Sequence, residues 1–413
     1  MTDRIWSGNA ILQEDLERIA SSELIDWERF RGKRVLVTGA TGLVGSIAAR
    51  ALVCAGEERS LNIRVAALVR NPDKAKAMLG SFLERGLELV VGDILSPIYV
   101  DGPVDFILHG ASVTASKDFV DHPVETILTT LKGTEHLLEL ARQKQAESMV
   151  YFSSMEVYGE PDVRNYADLT GMLPGIEGTC APEAARTSGG SCASEAARMS
   201  GGSCAPEAAR MSGGSCASEK AQTAAVLRES DYGYIDPLKV RSSYSEGKRM
   251  AEGMCAAYAH EYQIPVKTAR LAQTFGAGIP KTENRVFAQF AHSIMEGKDI
   301  VLHTDGSKAH CYCYTTDAIL GLLVVLLKGE NGGAYNISNE NTYCTIREMA
   351  EMLIEKYPQS GSRLIFDIPE DAGKYGYAPT SRMLICSEKL RGLGWKPQVG
   401  LPEMFERLMG AMR

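Results

Sequence analysis

Short apolar runs alternate along this chain with stretches of helical periodicity. Arg34-Val35-Leu36-Val37 leads into Thr38-Gly39-Ala40-Thr41-Gly42-Leu43-Val44-Gly45, after which Ser46 to Ala55 reads as a helix. A second apolar run, Ile63 to Val69, arrives at the distance expected of a βαβ unit. Leu89-Val90-Val91-Gly92-Asp93-Ile94 reads as a third strand, and a fourth ends before His109. Further strands are expected over Met149 to Phe152 and in the run from Val266 to Gly276, which has a small-residue exit. The order predicts an α/β protein. Ahead of it, Ile11, Leu12, Leu16, Ile19 and Ala20 recur at helical spacing, which predicts an amphipathic helix packed on the body of the protein or on a second subunit, the former being simpler.

One segment breaks the pattern. From Gly178 to Ala225 a twelve-residue unit repeats four times, as in Gly190-Ser191-Cys192-Ala193-Ser194-Glu195-Ala196-Ala197-Arg198-Met199-Ser200-Gly201. Its apolar surface is too small to fold alone, so residues 178–225 are expected to form a flexible surface insertion, with a lid or partner-binding role open. Cys180, Cys192, Cys204 and Cys216 are evenly spaced rather than paired as zinc ligands are, so no metal site is expected.

Bulk properties narrow the class. The 413 residues suffice for a dinucleotide-binding domain and a smaller substrate domain. Lys and Arg number 44 against 52 Asp and Glu, a net charge of −8, which gives no general basic surface for nucleic acid. Ala318 to Leu327 is too short to span a bilayer, and Met1 opens no secretion signal, so no membrane partner and a cytoplasmic location are expected. The ten cysteines then read as thiols.

The chemistry concentrates in three places. At the glycine turn, Gly39, Gly42 and Gly45 let the backbone approach a pyrophosphate at a helix N-terminus, with Thr41, Leu43 and Val44 between them. The second strand ends in Arg70 and Asn71 with no carboxylate for a ribose 2′-hydroxyl. Arg70 offers instead a partner for a 2′-phosphate, which tilts the expectation from NAD towards NADP, a solvated surface arginine being the alternative. Asp93 is placed to meet the adenine amine, beside Ile94. In Ser243-Tyr244-Ser245-Glu246-Gly247-Lys248, Tyr244 and Lys248 stand four apart on one helical face, so the ammonium can stabilise a phenolate. Finally, the run Met149 to Phe152 ends in Ser153-Ser154-Met155-Glu156, where extended geometry would point Ser154 and Glu156 to one side.

In this order, the glycine turn, Ser154-Met155-Glu156-Val157-Tyr158-Gly159 and Tyr244 to Lys248 resemble the extended short-chain dehydrogenases/reductases of the nucleotide-sugar epimerase and dehydratase type. His109-Gly110-Ala111-Ser112, Gly133-Thr134 and Leu393-Gly394-Trp395-Lys396-Pro397 are also similar to that family. The likeness runs from about Lys33 to the C-terminus with one interruption. It implies a Rossmann-type doubly wound parallel sheet over residues 32–276, a smaller substrate-binding α/β domain with returning Rossmann elements over 277–413, and an N-terminal helical extension over 1–31. It also implies a homodimer, NAD or NADP as cofactor and a nucleotide-sugar substrate.

Carried over, the resemblance makes Ser154, Glu156, Tyr244 and Lys248 catalytic. The cofactor would lie on the glycine turn, Arg70, Asp93, Ile94, Ala111, Tyr244 and Lys248, and the substrate on Ser112, Arg270, Thr274, His310 and Arg382. The nearest likeness within the family is to UDP-glucuronate decarboxylases, with 4,6-dehydratases next. Tyr244, helped by Lys248 and Ser154, would take the C4 hydroxyl proton while hydride passes to nicotinamide. Glu156 would then act at C5 in decarboxylation, dehydration or epimerisation. Departures are Met155 for a dehydratase aspartate, Ser245 for an aspartate, Thr130 for an asparagine, and His310 for an arginine that grips the diphosphate. Two other readings stand beside this one: a net NADPH-dependent reductase of an activated sugar or ketone, and a non-catalytic NAD(P)-sensing protein.

Overall fold

The computed structural model describes residues 6–162, 166–168, 223–368 and 381–413. Helix α1 (Ala10–Ala20) comes first, capped by the Asn9 side chain, which accepts the N–H of Leu12. Strand β1 (Arg34–Thr38), α2 (Leu43–Glu58), β2 (Arg64–Val69), α3 (Pro72–Leu83) and β3 (Leu87–Val91) form the first half of the nucleotide-binding unit. Then β4 (Phe106–His109), α4 (Asp118–Asp121), α5 (Pro123–Lys144) and β5 (Ser148–Ser154) form the second. Strands β6 (Tyr166–Asp168) and β7 (Thr223–Leu227), α6 (Ser242–Glu261), β8 (Val266–Leu271), β9 (Gln273–Phe275) and α7 (Val286–Glu296) follow. The remainder comprises β10 (Ile300–Leu302), β11 (Ala309–Tyr314), α8 (Thr315–Lys328), β12 (Ala334–Ile337), β13 (Asn339–Thr345), α9 (Ile346–Lys356), β14 (Leu364–Phe366), β15 (Arg382–Ile385), α10 (Glu388–Arg391) and α11 (Leu401–Met412).

Seven parallel strands make the main sheet in the order β12-β8-β5-β4-β1-β2-β3. The order reverses between β1 and β4, so their C-terminal ends open the crevice in which doubly wound sheets bind ligands. Both faces are covered, which is why β1 reads as one buried run. One face carries α2 and α8 with α1 outside them, and the other carries α5 and α6. Nearly every residue of α8 is buried, so the longest apolar run of the sequence is an interior helix. Among the described residues no helix is long and apolar enough to cross a membrane.

Helix α1 packs on the protein's own body. Leu16, Ile19 and Ala20 are fully buried, and Asp15 beneath them accepts the Tyr314 hydroxyl at 2.5 Å and Arg407 Nε at 3.0 Å. The Leu393 to Pro397 segment is anchored the same way: Trp395 is fully buried and donates Nε1–H to the Asp317 carbonyl, whose carboxylate accepts the N–H groups of Gln398 and Val399.

A second, mixed sheet runs β13-β11-β15-β7-β6, with β9 also paired to β11. It corrects the boundary drawn for the insertion. Thr223 to Ala225, the end of the fourth repeat, belong to β7, and Ala224 and Ala225 are fully buried in the sheet. The three earlier repeats and most of the fourth lie outside the described residues, with their four cysteines. The six described cysteines, Cys54, Cys255, Cys311, Cys313, Cys344 and Cys386, are thiols.

Candidate active site

A cleft of about 1250 Å³ runs along the C-terminal ends of the main sheet and against the mixed sheet. Gly39, Thr41, Gly42, Leu43, Val44 and Gly45 line one end. Gly39 has φ +69°, and a Cβ there would stand 2.7 Å from the Gly110 carbonyl carbon; a Cβ on Gly45 would stand 2.4 Å from the Gly39 oxygen. The turn and the first turn of α2 therefore close to a distance only glycine allows, leaving N–H groups at the start of a sixteen-residue helix. These residues fit a dinucleotide's pyrophosphate. His109 fixes the neighbouring loop: its Nδ1 lies 2.8 Å from Thr38 Oγ1, which accepts the N–H of Ala111. Ala111 and Ser112 line the cleft beyond it.

At the far rim Arg70 and Lys74 line the cleft, and no carboxylate stands among the lining residues contributed by β2, α3 or the turn after β3. Asn71 is committed to capping α3, accepting the Lys74 N–H at 2.9 Å. Asp93 does not line the cleft. Its carboxylate accepts the Leu95 N–H at 2.9 Å and shapes the turn, and the lining there comes from Gly92 and Ile94.

In the centre the structure brings Ser154, Glu156, Tyr244 and Lys248 together. Tyr244 is buried, its ring stacked on Phe119 at a centroid distance of 4.2 Å, and its hydroxyl hydrogen-bonds with Ser154. Lys248 is buried one turn on and donates to the Phe152 carbonyl at 2.7 Å, with Nζ 5.8 Å from the Tyr244 ring centroid. The shared helical face is as expected; the electrostatic outcome is not. Burial pushes the Tyr244 phenol up to about 12, against the lowering effect of its bond to Ser154. Burial also brings the Lys248 ammonium down to about 7, opposed by Glu252. Desolvation dominates here and leaves the phenol a weaker acid than free tyrosine.

Glu156 reaches the cleft by a route other than alternation. The chain turns at Met155 into a 3₁₀ turn over Met155–Tyr158, with the Ser154 hydroxyl accepting the Glu156 N–H at 3.2 Å. Its carboxylate accepts two hydrogen bonds from Arg241, at 3.1 and 3.2 Å, and one from the Ser245 hydroxyl at 3.1 Å. Burial opposes ionisation, but Arg241, Ser245 and Lys308 outweigh it and hold the carboxyl below its ordinary range. Sequence reading missed Arg241 and Lys308. Arg241 stands three residues before Tyr244 at the start of α6, and Lys308 two before His310, so strand periodicity gives Lys308 and His310 one face.

Thr274 and His310 line the cleft. Burial, with Lys308 beside it, lowers the His310 imidazole to about 3, so it is neutral, and its Nδ1 has no hydrogen-bond partner among the described residues. Arg382 lies between lining residues Ser381 and Met383 without lining the cleft itself, and donates Nε–H to the Ser307 carbonyl at 3.2 Å. Arg270 is fully buried away from it. It donates to Glu252 at 2.7 and 3.0 Å, to the Glu229 carbonyl at 2.8 Å, and to the hydroxyls of Tyr158 and Tyr232, tying β8 to α6. A guanidinium so occupied cannot reach a substrate. Among the described residues no group of three His, Cys, Asp or Glu is arranged to hold a metal ion.

The sequence profile described as "NAD dependent epimerase/dehydratase family" matches residues 35–176 and 207–338. The chain belongs to this family. Among epimerase/dehydratase relatives, it is 26% identical over 378 residues to UDP-glucuronic acid decarboxylase 6 of Arabidopsis thaliana, covering 90% of this chain and 88% of that one. Its fold resembles UDP-glucose 4-epimerase of Thermotoga maritima (TM-score 0.64, 17% identity, 92% and 98% of the two chains). It also resembles a dTDP-glucose 4,6-dehydratase of Streptomyces venezuelae solved with NAD bound (TM-score 0.61, 20% identity, 91% and 95%). The family and the doubly wound fold named from the motifs are those of the chain.

Proposed function

We propose that this family member oxidises C4 of a nucleotide-linked hexuronate and lets the C6 carboxylate leave as carbon dioxide. The observation that carries the reading is the Ser154–Tyr244–Lys248 set with Glu156 in the same cleft as the glycine turn. Relatives at 26% identity over most of the chain that are UDP-glucuronic acid decarboxylases support it. When bound, the oxidised dinucleotide supplies the acceptor for the C4 hydride and returns it at the end.

Tyr244, once its own phenol proton has passed to solvent, takes the O4 proton as a phenolate assisted by Ser154 and Lys248. A C4 ketone makes the carboxylate a β-keto acid, so the C5–C6 bond can break with its electron pair left at C5. Glu156 is the group placed to manage the proton that C5 then requires. Purified protein given UDP-, dTDP-, GDP- and CDP-linked glucuronate should release carbon dioxide from one of them without added cofactor. Loss of water or simple isomerisation instead would overturn decarboxylation.

A second reading, a net NADPH-dependent reductase, is favoured by the rim of Arg70 and Lys74 with no acid, which suits a 2′-phosphate. Stoichiometric consumption of added NADPH would select it. We also propose that two chains pair through α5 and α6. Val124 and Leu128 leave apolar surface exposed along α5, and Met250 in α6 and Tyr262 just after it do so as well, on helices that pack together. Thiols at all six described cysteines suit a reducing compartment such as the cytoplasm.

A further inference from the structure

Two cations stand near the Glu156 carboxylate, Arg241 and Lys308. Arg241 stands at the entrance to α6, partly exposed, and the partner recorded for its guanidinium is the Glu156 carboxylate. Lys308 precedes β11, lines the cleft and forms no ion pair with a carboxylate among the described residues. It lies within the field of both Glu156 and Arg241 without closing on either. Its burial costs the ammonium hydration, which no anion within ion-pair distance among the described residues offsets. Beside it the His310 imidazole is 8% exposed with Nδ1 unpartnered. Counting charges around this corner gives Arg241 and Lys308 positive, Glu156 negative and His310 neutral. Among the described residues, one positive charge and one buried nitrogen are left without a counterpart. A monoanion held within the cleft would satisfy both.

We propose that Arg241 and Lys308 form a carboxylate subsite, and that Arg241 exchanges Glu156 for the sugar's C6 carboxylate when substrate enters. The inference rests on the hexuronate reading above. It adds the residues that select the uronate and a reason for Glu156 to be held as it is. A guanidinium fork engaged with one carboxylate is matched in shape and charge to another, so the exchange keeps its hydrogen bonds. Glu156 then keeps only the Ser245 hydroxyl and loses its main charge partner.

The groups facing Glu156 are Arg241, Tyr244 and Ser245 from α6 and Lys308 and His310 from the β11 side. With Arg241 withdrawn and Lys308 turned to the substrate, the anions and burial that remain raise its proton affinity. Glu156 takes a proton from solvent. After the C5–C6 pair is left at C5, it gives that proton to C5 and becomes a carboxylate again, to which Arg241 returns as carbon dioxide leaves. Arg241 and Lys308 are thus positioning and specificity residues, tying the arming of the acid to the presence of the group that will depart.

The test uses the full chain, the nucleotide-glucuronate that turns over in the four-nucleotide panel, and the glucose derivative of the same nucleotide. Hydride transfer is followed by absorbance of the reduced cofactor. Lys308→Met should cut the ratio of kcat/KM for uronate over hexose by about 30-fold, mainly through KM, and Lys308→Arg should restore most of it. Arg241→Gln should lower the same ratio, with Arg241→Lys between. A merely structural role would lower both sugars in proportion. An unchanged ratio in Lys308→Met, or in Arg241→Gln, overturns the subsite. Wild-type protein that reduces cofactor with neither sugar sinks the proposed function instead.

Discussion

His109 illustrates how a single side chain near the site sets a property of the whole fold. It is fully enclosed, between Thr38 Oγ1 at 2.8 Å and Thr134 Oγ1 at 3.3 Å, and burial with Lys248 nearby lowers it to about 3. An unfolded histidine titrates near 6.5, so between these values the unfolded chain takes up a proton that the folded chain refuses. The stability it contributes is complete above about pH 6.5 and is lost as pH falls towards 3. At pH 5 the loss should be about 2 kcal/mol relative to pH 7. Urea unfolding at both pH values should show His109→Gln losing less stability on acidification than the wild type by about that amount; equal losses would refute it. Residues whose partners are local were legible before any coordinates. Gly39 to Gly45 and Tyr244 to Lys248 need only spacing. The resemblance puts Arg270 at the substrate, and sequence does not show Glu252, the anion that α6 places against it. Arg241 and Lys308 were invisible for the same reason, since their relation to Glu156 is made by three separate elements.

At the scale of elements, α1 shows how an extension becomes part of the core. Its apolar stripe was readable from the spacing of Leu12, Leu16 and Ile19, whereas its docking surface was not, because the anchoring partners come from β11 and α11, roughly three hundred and four hundred residues on. Asp15 is buried and its carboxyl is raised by that burial, against Tyr314 and Arg407, which stabilise its charge. Asp15→Ala would leave Arg407, whose side chain is 18% exposed, without its inner partner. Removing one member of such a pair costs about 3 kcal/mol, measurable by urea unfolding; a change under about 0.5 kcal/mol would mean that packing alone holds α1. The 3₁₀ turn after β5 carries the opposite lesson. Alternation placed Ser154 and Glu156 on one side, and the structure brings both to the cleft by ending the strand, a break that the apolar pattern does not mark.

For the whole molecule, the α/β order, the switch point and the family were legible because each βαβ unit is local in sequence. The mixed sheet was not, since β7 emerges from the end of a repeat and pairs with β15 more than 150 residues later. That sheet supplies the wall bearing Lys308 and His310, so the selective half of the cleft is also the half least visible in sequence. Binding at one end and proton management at the other meet at Tyr244, whose phenol burial alone keeps protonated near neutral pH. The account therefore requires the phenol proton to pass to solvent first, and the phenolate then to take the O4 proton as hydride leaves C4. The direct measurement is rapid mixing of the enzyme with the active nucleotide-glucuronate, protiated or deuterated at C4, following reduced cofactor and carbon dioxide. The account predicts a transient of reduced cofactor before carbon dioxide, slowed by deuterium, and its loss by about 10³-fold in Tyr244→Phe with dinucleotide binding retained. Carbon dioxide released with no reduced cofactor, or a transient that survives in Tyr244→Phe, would contradict it.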